Sequence, residues 1–360
     1  MNSLYELLNK EIISLGLDNY SNLDFLSDRA ACAKFIDTLA GQYWDVNNEI
    51  TVPYHVAQNR ASHSIITFLM GRALCRVSGH IDKIKNDKDE YSQLWMLTSI
   101  NHDRGYFSKL LNNPQKSKKD FEKDNLFCQK YTDSRLSQFN DFQKKHSEYL
   151  AYTVPEIEAY EEYAISFHAE QINDDEKQDH GILGGLLIFY YGKNEYMKNN
   201  CSSKELLLIM KSGYTIAQHN IFKSPDEDTD SKYPHILLEK LSHDSKFRIG
   251  QNDTTQLLLL LCLVDTVECV KKMGKGEDSH NYLETKTVLQ GIGIEVCNNG
   301  IILDYVNLYK KIHRDKKQEQ VDILFERLNS CYNNVRSLPQ WTVFDVTEDG
   351  EHRLRIELRQ

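Results

Sequence analysis

The chain has 360 residues, and 43 Lys and Arg against 53 Asp and Glu give a formal net charge of −10. With 40% hydrophobic and 10% aromatic residues it can bury a real core as one large domain or two, which excludes disorder as its main state. The acidic balance argues against a broad duplex-DNA grip, because that affinity comes from Lys and Arg neutralising phosphates.

From residue 1 to about 284 apolar residues recur at spacings of three and four, which predicts helices, and the whole chain has only six prolines. Leu4, Leu7, Leu8, Ile12 and Ile13 line one face of an opening helix, and Asp28 to Trp44 reads as a second. Ser62 to Val77 is apolar around most of its circumference, so it is expected to be buried on more than one side. A further helix runs from Tyr91 to about His102. Between Ser108 and Lys145 the composition turns to Lys, Asp, Asn and Gln, which reads as a solvated helical insertion or a mobile loop. Helical patterns resume over 156–170, 181–191 and 203–220. An acidic break, Ser224 to Tyr233, follows with Pro225 and Pro234 at its flanks, and Thr255 to Lys272 is the most apolar helix of the protein.

The period then changes. Val288 to Asn299 alternates, Asn299-Gly300 signals a hairpin turn, and Ile301 to Val306 continues as a strand. A charged helix from Tyr309 to Cys331 precedes two more strands, Trp341 to Val346 and His352 to Leu358, around a turn at Glu348-Asp349-Gly350. The fold class expected is mainly α: a helical domain over residues 1–284 carrying the insertion at about 108–145, and a small α+β module of type ββαββ over 285–360.

Nothing in this pattern asks for a membrane. The longest apolar run, Leu257 to Val264, stops after eight residues at Asp265, against the about 20 that a spanning helix needs. The opening MNSLYELLNKE has no basic segment followed by an apolar one, and the eight cysteines are scattered without a CxxC pair. Reduced thiols in a cytoplasmic protein are the expectation.

Chemistry is signalled first by Asp265, which interrupts LLLLLCLVDTVECV. A carboxylate buried there costs several kcal/mol unless a cation or hydrogen-bond donors meet it. An ion pair or a capping contact is the ordinary alternative. The adjacent His102-Asp103 closes an apolar helix; neighbouring helical side chains diverge by about 100°, so both reach one point only where the chain turns. His63 opens the buried helix in ASHSIITFL, His180 heads GILGGLLIFYY, and His219 ends YTIAQHNIF. Each alone is more often a core or boundary histidine than a ligand. Together they attach imidazoles and carboxylates to separate apolar helices, a donor set suited to Mn, Fe, Co, Ni or Zn, and helical bundles commonly build metal centres this way.

In this order, His63, His102-Asp103, His180, His219 and Asp265, the sequence resembles the HD-domain superfamily of metal-dependent phosphohydrolases, whose signature is H…HD…D on a helical bundle. The resemblance covers about residues 55 to 275. It implies an HD-type helical bundle in which His63, His102, Asp103 and Asp265 hold one divalent ion, while His180 and His219 hold a second bridged by Asp103. Mg joins the ions this family can take. The two additional histidines resemble those of two-metal branches, among them the nuclease domain of type I CRISPR effectors and the HD-GYP cyclic-dinucleotide phosphodiesterases. The chain departs from the family where many members read HDxGK: here the phrase is HDRGY, with Tyr106 at the Lys position. Arg104 or Lys109 stands near enough in sequence to take over a phosphate contact. The HHExxDGxGYP stretch is absent, and Asn220 follows His219 where the CRISPR nucleases typically carry a second His, so the branch stays open.

The activity implied is hydrolysis of a phosphoester by a metal-activated water, with Asp103 as the bridging catalytic carboxylate. The charge favours a small linear or cyclic nucleotide. Lys116, Lys118, Lys119, Lys123 and Lys130 could instead line a groove for single-stranded nucleic acid in a nuclease, or form a solvated loop balanced by Asp120, Glu122 and Asp124. A regulatory protein that senses a nucleotide without turnover is the third reading, with the C-terminal module as a surface for a partner protein or a second copy. His55 is the substitute ligand should His63 not serve, His168 could face the site, and His243-Asp244 lies in a polar context that reads as a surface loop.

Overall fold

A computed structural model describes residues 2–43, 58–78, 88–104, 202–219, 253–273, 283–336 and 344–358, with single positions at 181, 184, 185, 188 and 198. Ten α-helices, two short 3-10 helices (Asp18–Tyr20 and Asp24–Ser27) and five strands fall among them. A two-residue strand β1 (Asn2–Ser3) leads into α1 (Leu4–Ser14), followed by α2 (Arg29–Tyr43), α3 (Gln58–Ser78), α4 (Lys88–Asn101), α5 (Ser203–Gln218), α6 (Asp253–Val267), α7 (Val270–Met273) and α8 (Thr285–Gly291). Then come β2 (Gly293–Cys297), β3 (Gly300–Asp304), α9 (Val306–Asp315), α10 (Gln318–Arg336), β4 (Phe344–Glu348) and β5 (Arg353–Leu358).

The helix α3 is the centre of the helical part. It packs against α1, α2, α4 and α6, while α5 packs against α4 and α6. Its all-round apolar character has a direct counterpart: Ala61, Ile65, Ile66, Phe68, Leu69, Met70, Ala73, Leu74 and Cys75 are all buried. A side chain at Gly71 would not fit, because a Cβ there would lie 2.0 Å from the Trp95 indole of α4. That indole donates from Nε1 to Phe68 O of α3 at 2.9 Å, so the two helices are bonded and closely packed at the same level. Between α4 and α5, Thr98 Oγ1 donates to Ser212 Oγ at 3.1 Å.

The sheet is wholly antiparallel, in the order β1-β2-β3-β5-β4. It differs from the expected ββαββ unit in four respects. The N-terminal strand supplies a fifth strand by pairing Asn2 with Ile294 and Ser3 with Gly293. The single helix expected over 309–331 is two, α9 and α10, separated where Lys316 is extended at φ −125°, ψ 153° after the charged run Arg314-Asp315. And Val288 to Gly291 belongs to α8, its alternation reflecting burial of Val288 and Leu289 on one helical face. The hairpin turn falls one residue earlier than Asn299-Gly300: Cys297 pairs with Gly300, which is already in β3. Gly300 is needed there for close approach, since a Cβ would stand 1.9 Å from Ile356 O of β5. One apolar cluster runs from Leu4 of α1 through the helices to Ile356 of β5, and no helix among the described residues is long and apolar enough to cross a membrane.

Candidate metal centre

Four helix ends meet at the expected ligands. His63 lies near the start of α3, His102 and Asp103 follow α4 directly, His219 caps α5, and Asp265 sits in the last turn of α6. Three of these four are C-terminal ends, where the unbonded carbonyls place partial negative charge that favours a cation. All five side chains are buried, none more than 5% exposed.

The neighbours His102 and Asp103 reach one point because the helix has stopped. Arg104 N–H closes a turn on Asn101 O at 2.9 Å, and His102 Nε2 comes within 3.6 Å of Asp103 Oδ1. His63 Nε2 stands 3.0 Å from His102 Nε2, 2.8 Å from Asp265 Oδ1 and 3.7 Å from Asp103 Oδ2; His102 Nε2 is 3.4 Å from Asp265 Oδ1. The His219 ring meets the His102 ring edge to face, with centroids 5.4 Å apart.

Hydrogen bonding fixes which ring nitrogens carry lone pairs. A carbonyl oxygen can only accept, so His102 Nδ1, 2.6 Å from Ser99 O, holds that ring's proton, and His219 Nδ1 does the same toward Ile216 O at 2.6 Å. Both rings therefore present Nε2 as an acceptor, as a metal ligand must. Burial works in the same direction by disfavouring the charged imidazolium. It pushes the His102 pKa down to about 3 against the upward pull of Asp103, and lowers that of His63 with help from Lys271 against the pull of Glu268 and Asp103.

The donor set fits a divalent ion. Ligand atoms about 2.1 Å from one first-row ion lie roughly 3.0–3.4 Å from each other, and the separations among His63 Nε2, His102 Nε2 and Asp265 Oδ1 are 2.8, 3.0 and 3.4 Å. The buried cluster of His63, His102 and Asp265 can thus hold a metal ion. Imidazole with carboxylate and no thiolate suits Mn, Fe, Co, Ni or Zn.

Three residues at this centre were not singled out from the sequence. Arg60 Nη1 contacts Asp103 Oδ2 at 2.9 Å, and Lys271 Nζ spans Asp265 Oδ1 at 3.3 Å and Asp103 Oδ2 at 3.5 Å. With side chains 22% and 18% exposed, these two cations mark the solvent side of a centre whose ligands are otherwise sealed. The third, Glu268, places Oε2 at 2.5 Å from His63 Nδ1 and is buried. Arg60 lies three residues before His63 on α3, but Glu268 and Lys271 lie past the end of α6 at Val267, so no helical spacing from Asp265 points to them.

Arg104 is buried beside the site, with Nη1 donating to Asn101 Oδ1 at 3.1 Å. His180, Tyr106 and Lys109 lie outside the described residues, as do His55, His168, His243-Asp244 and the lysines between 116 and 130. Compared with known protein families, with curated proteins and with solved structures, the chain matches none.

Proposed function

We propose that this chain is an HD-type metal-dependent phosphohydrolase that hydrolyses a phosphoester bond of a small linear or cyclic nucleotide. The observation that carries the reading is the convergence of His63, His102, Asp103 and Asp265, from three helices far apart in sequence, on one buried point with neutral imidazoles. When bound there, a divalent ion supplies positive charge for the phosphoryl oxygens and a water acidic enough to attack phosphorus near neutral pH.

The protein's own groups have distinct parts in this scheme. His63, His102 and Asp265 would hold a first ion. Asp103, with Oδ1 toward His102 and Oδ2 toward Arg60 and Lys271, would be the carboxylate shared with a second ion, as the resemblance implies. His219 and His180 would supply imidazoles to that second ion. Arg60 and Lys271, on the solvent side, are the cations that an arriving phosphoryl group meets first. A net charge of −10 repels a long polyanion, so attraction must be local, which favours a nucleotide over a strand.

Metal content measured by inductively coupled plasma spectrometry, followed by assays of nucleotides, cyclic nucleotides and oligonucleotides with Mn or Mg, tests this. The result expected is one or two transition-metal ions per chain and nucleotide hydrolysis abolished by a chelator and by His102→Ala or Asp103→Ala. Preference for oligonucleotides would make the protein a nuclease, and nucleotide binding without turnover would make it a regulatory protein. Wild-type hydrolysis by a folded variant carrying both substitutions, insensitive to chelator, overturns the proposal.

A further inference from the structure

We infer that Glu268 is a positioning residue that decides which nitrogen of His63 carries the ring proton, and so whether His63 can serve as a ligand at all. The inference rests on the metal reading of the site.

His63 stands between two carboxylates. Its Nδ1 faces Glu268 Oε2 at 2.5 Å and its Nε2 faces Asp265 Oδ1 at 2.8 Å. A neutral imidazole has one N–H, so the two acids compete for the same proton. If Asp265 took it, Nε2 would become a donor and its lone pair, the one that faces His102 and the metal cluster, would be gone. With the proton on Nδ1 and donated to Glu268, Nε2 is left as an acceptor beside Asp265 and His102.

The backbone tilts this competition toward Glu268. Its carboxylate is held in place by two main-chain donors, Val270 N–H to Oε1 at 2.6 Å and Lys271 N–H to Oε2 at 3.1 Å, at the break between α6 and α7. A carboxylate anchored by two amide donors keeps its orientation. Asp265, by contrast, shares its Oδ1 with His63, His102 and the Lys271 ammonium. The same bonds cap α7, because the Glu268 side chain supplies acceptors for its first amides, those of Val270 and Lys271. One side chain therefore caps α7 and faces the imidazole across from Asp265. Carboxylates that accept the outer N–H of a ligating histidine raise its basicity, and their loss lowers metal affinity by about 10- to 100-fold.

The experiment is metal titration of the chelator-stripped full chain and its Glu268→Gln and Glu268→Ala variants. Mn(II) is followed by calorimetry, Co(II) by its visible absorption band, and folding by circular dichroism. Both variants are expected to bind Mn(II) about 10- to 100-fold more weakly and to shift the Co(II) band, with Glu268→Asp recovering part of the affinity. Glu268→Gln keeps an amide oxygen for the cap, so a Co(II) shift in that folded variant reads the His63 contact apart from helix capping. Folded Glu268→Gln protein with wild-type Mn(II) affinity and an unchanged Co(II) band overturns this inference and leaves the metal reading standing. Should the wild-type chain bind neither ion, the metal reading falls and takes the inference with it. If Glu268→Ala does not fold, Glu268→Gln decides.

Discussion

The Nε2 atoms of His63 and His102 lie 3.0 Å apart, although the two residues are 39 positions apart in the chain and stand on different helices. With the His63 proton on Nδ1, as inferred above, these are two acceptor nitrogens that repel at that distance unless positive charge lies between them, and Asp265 and Asp103 add their own negative charge to the same point. A divalent ion is expected to relieve this and to stabilise the fold. At a free ion concentration a hundredfold above Kd the gain is about 2.7 kcal/mol, which a thermal melt with and without Mn(II) resolves. Asp265→Asn and His63→Ala are expected to lose most of that increment. An unmoved wild-type midpoint at millimolar Mn(II) counts directly against a metal site here.

The helices that carry those two histidines are held at a distance set by Gly71 of α3. A methyl group there would meet the Trp95 ring at 2.0 to 2.9 Å, and Trp95 is itself fixed by its bond to Phe68 O. Gly71→Ala is therefore expected to destabilise by about 1–3 kcal/mol, the usual result of overpacking, and to weaken metal binding by shifting α3 against α4. Gly41 in α2 is the control, because nothing lies within 4 Å of the Cβ it would gain. Gly41→Ala is expected to stabilise by about 0.5–1 kcal/mol through helix propensity. Denaturant melts that show the two substitutions acting alike would refute the packing argument.

Helix positions were legible because burial imposes a period. The all-round apolar Ser62 to Val77 became the central α3, and the lone Asp265 in its apolar run pointed to a buried charge that had to be met. The meeting of His102 with Asp103 followed from helix geometry, since adjacent side chains converge only past a terminus. What escaped was the partner of each ligand. Arg60, Glu268 and Lys271 look like ordinary surface charges in a sequence, and only the packing of α3 beside α6 and α7 brings them to His63, Asp103 and Asp265. The fifth strand escaped for a similar reason: Asn2 and Ser3 carry no strand pattern, and their pairing with β2 is a long-range event.

A further buried carboxylate, outside the candidate metal centre, gives a test by pH. Glu11 of α1 is fully buried and paired with Arg72 and Arg76 of α3. Burial raises its pKa above the ordinary glutamate range, and the two guanidinium groups offset this only in part. A group whose pKa is raised by folding stabilises the fold below its unfolded pKa, and that contribution is lost as pH rises through the folded value. Relative to Glu11→Gln, the wild-type chain should therefore lose stability as pH rises above about 4.5. Urea melts of both proteins across that range check the sign, and a wild-type chain that gains on the variant as pH rises would refute it.

Lys271 connects the two halves of the functional reading. Its ammonium lies 3.3 Å from Asp265 Oδ1 and 3.5 Å from Asp103 Oδ2, so it neutralises the carboxylates that an ion must use. An ammonium and a divalent ion so close together repel one another. Even in bulk water two unit charges 4 Å apart cost about 1 kcal/mol, which is about fivefold in binding. Lys271→Met, which keeps most of the stem volume, is accordingly expected to bind Mn(II) at least about fivefold more tightly, and to be less stable than wild type when the metal is removed. If Lys271 also meets the incoming phosphoryl group, the same variant should show a raised KM for the nucleotide despite its fuller metal occupancy. Tighter metal binding with poorer substrate binding is a combination that loss of structure does not produce, and weaker Mn(II) binding by the folded variant would refute this placement of charge.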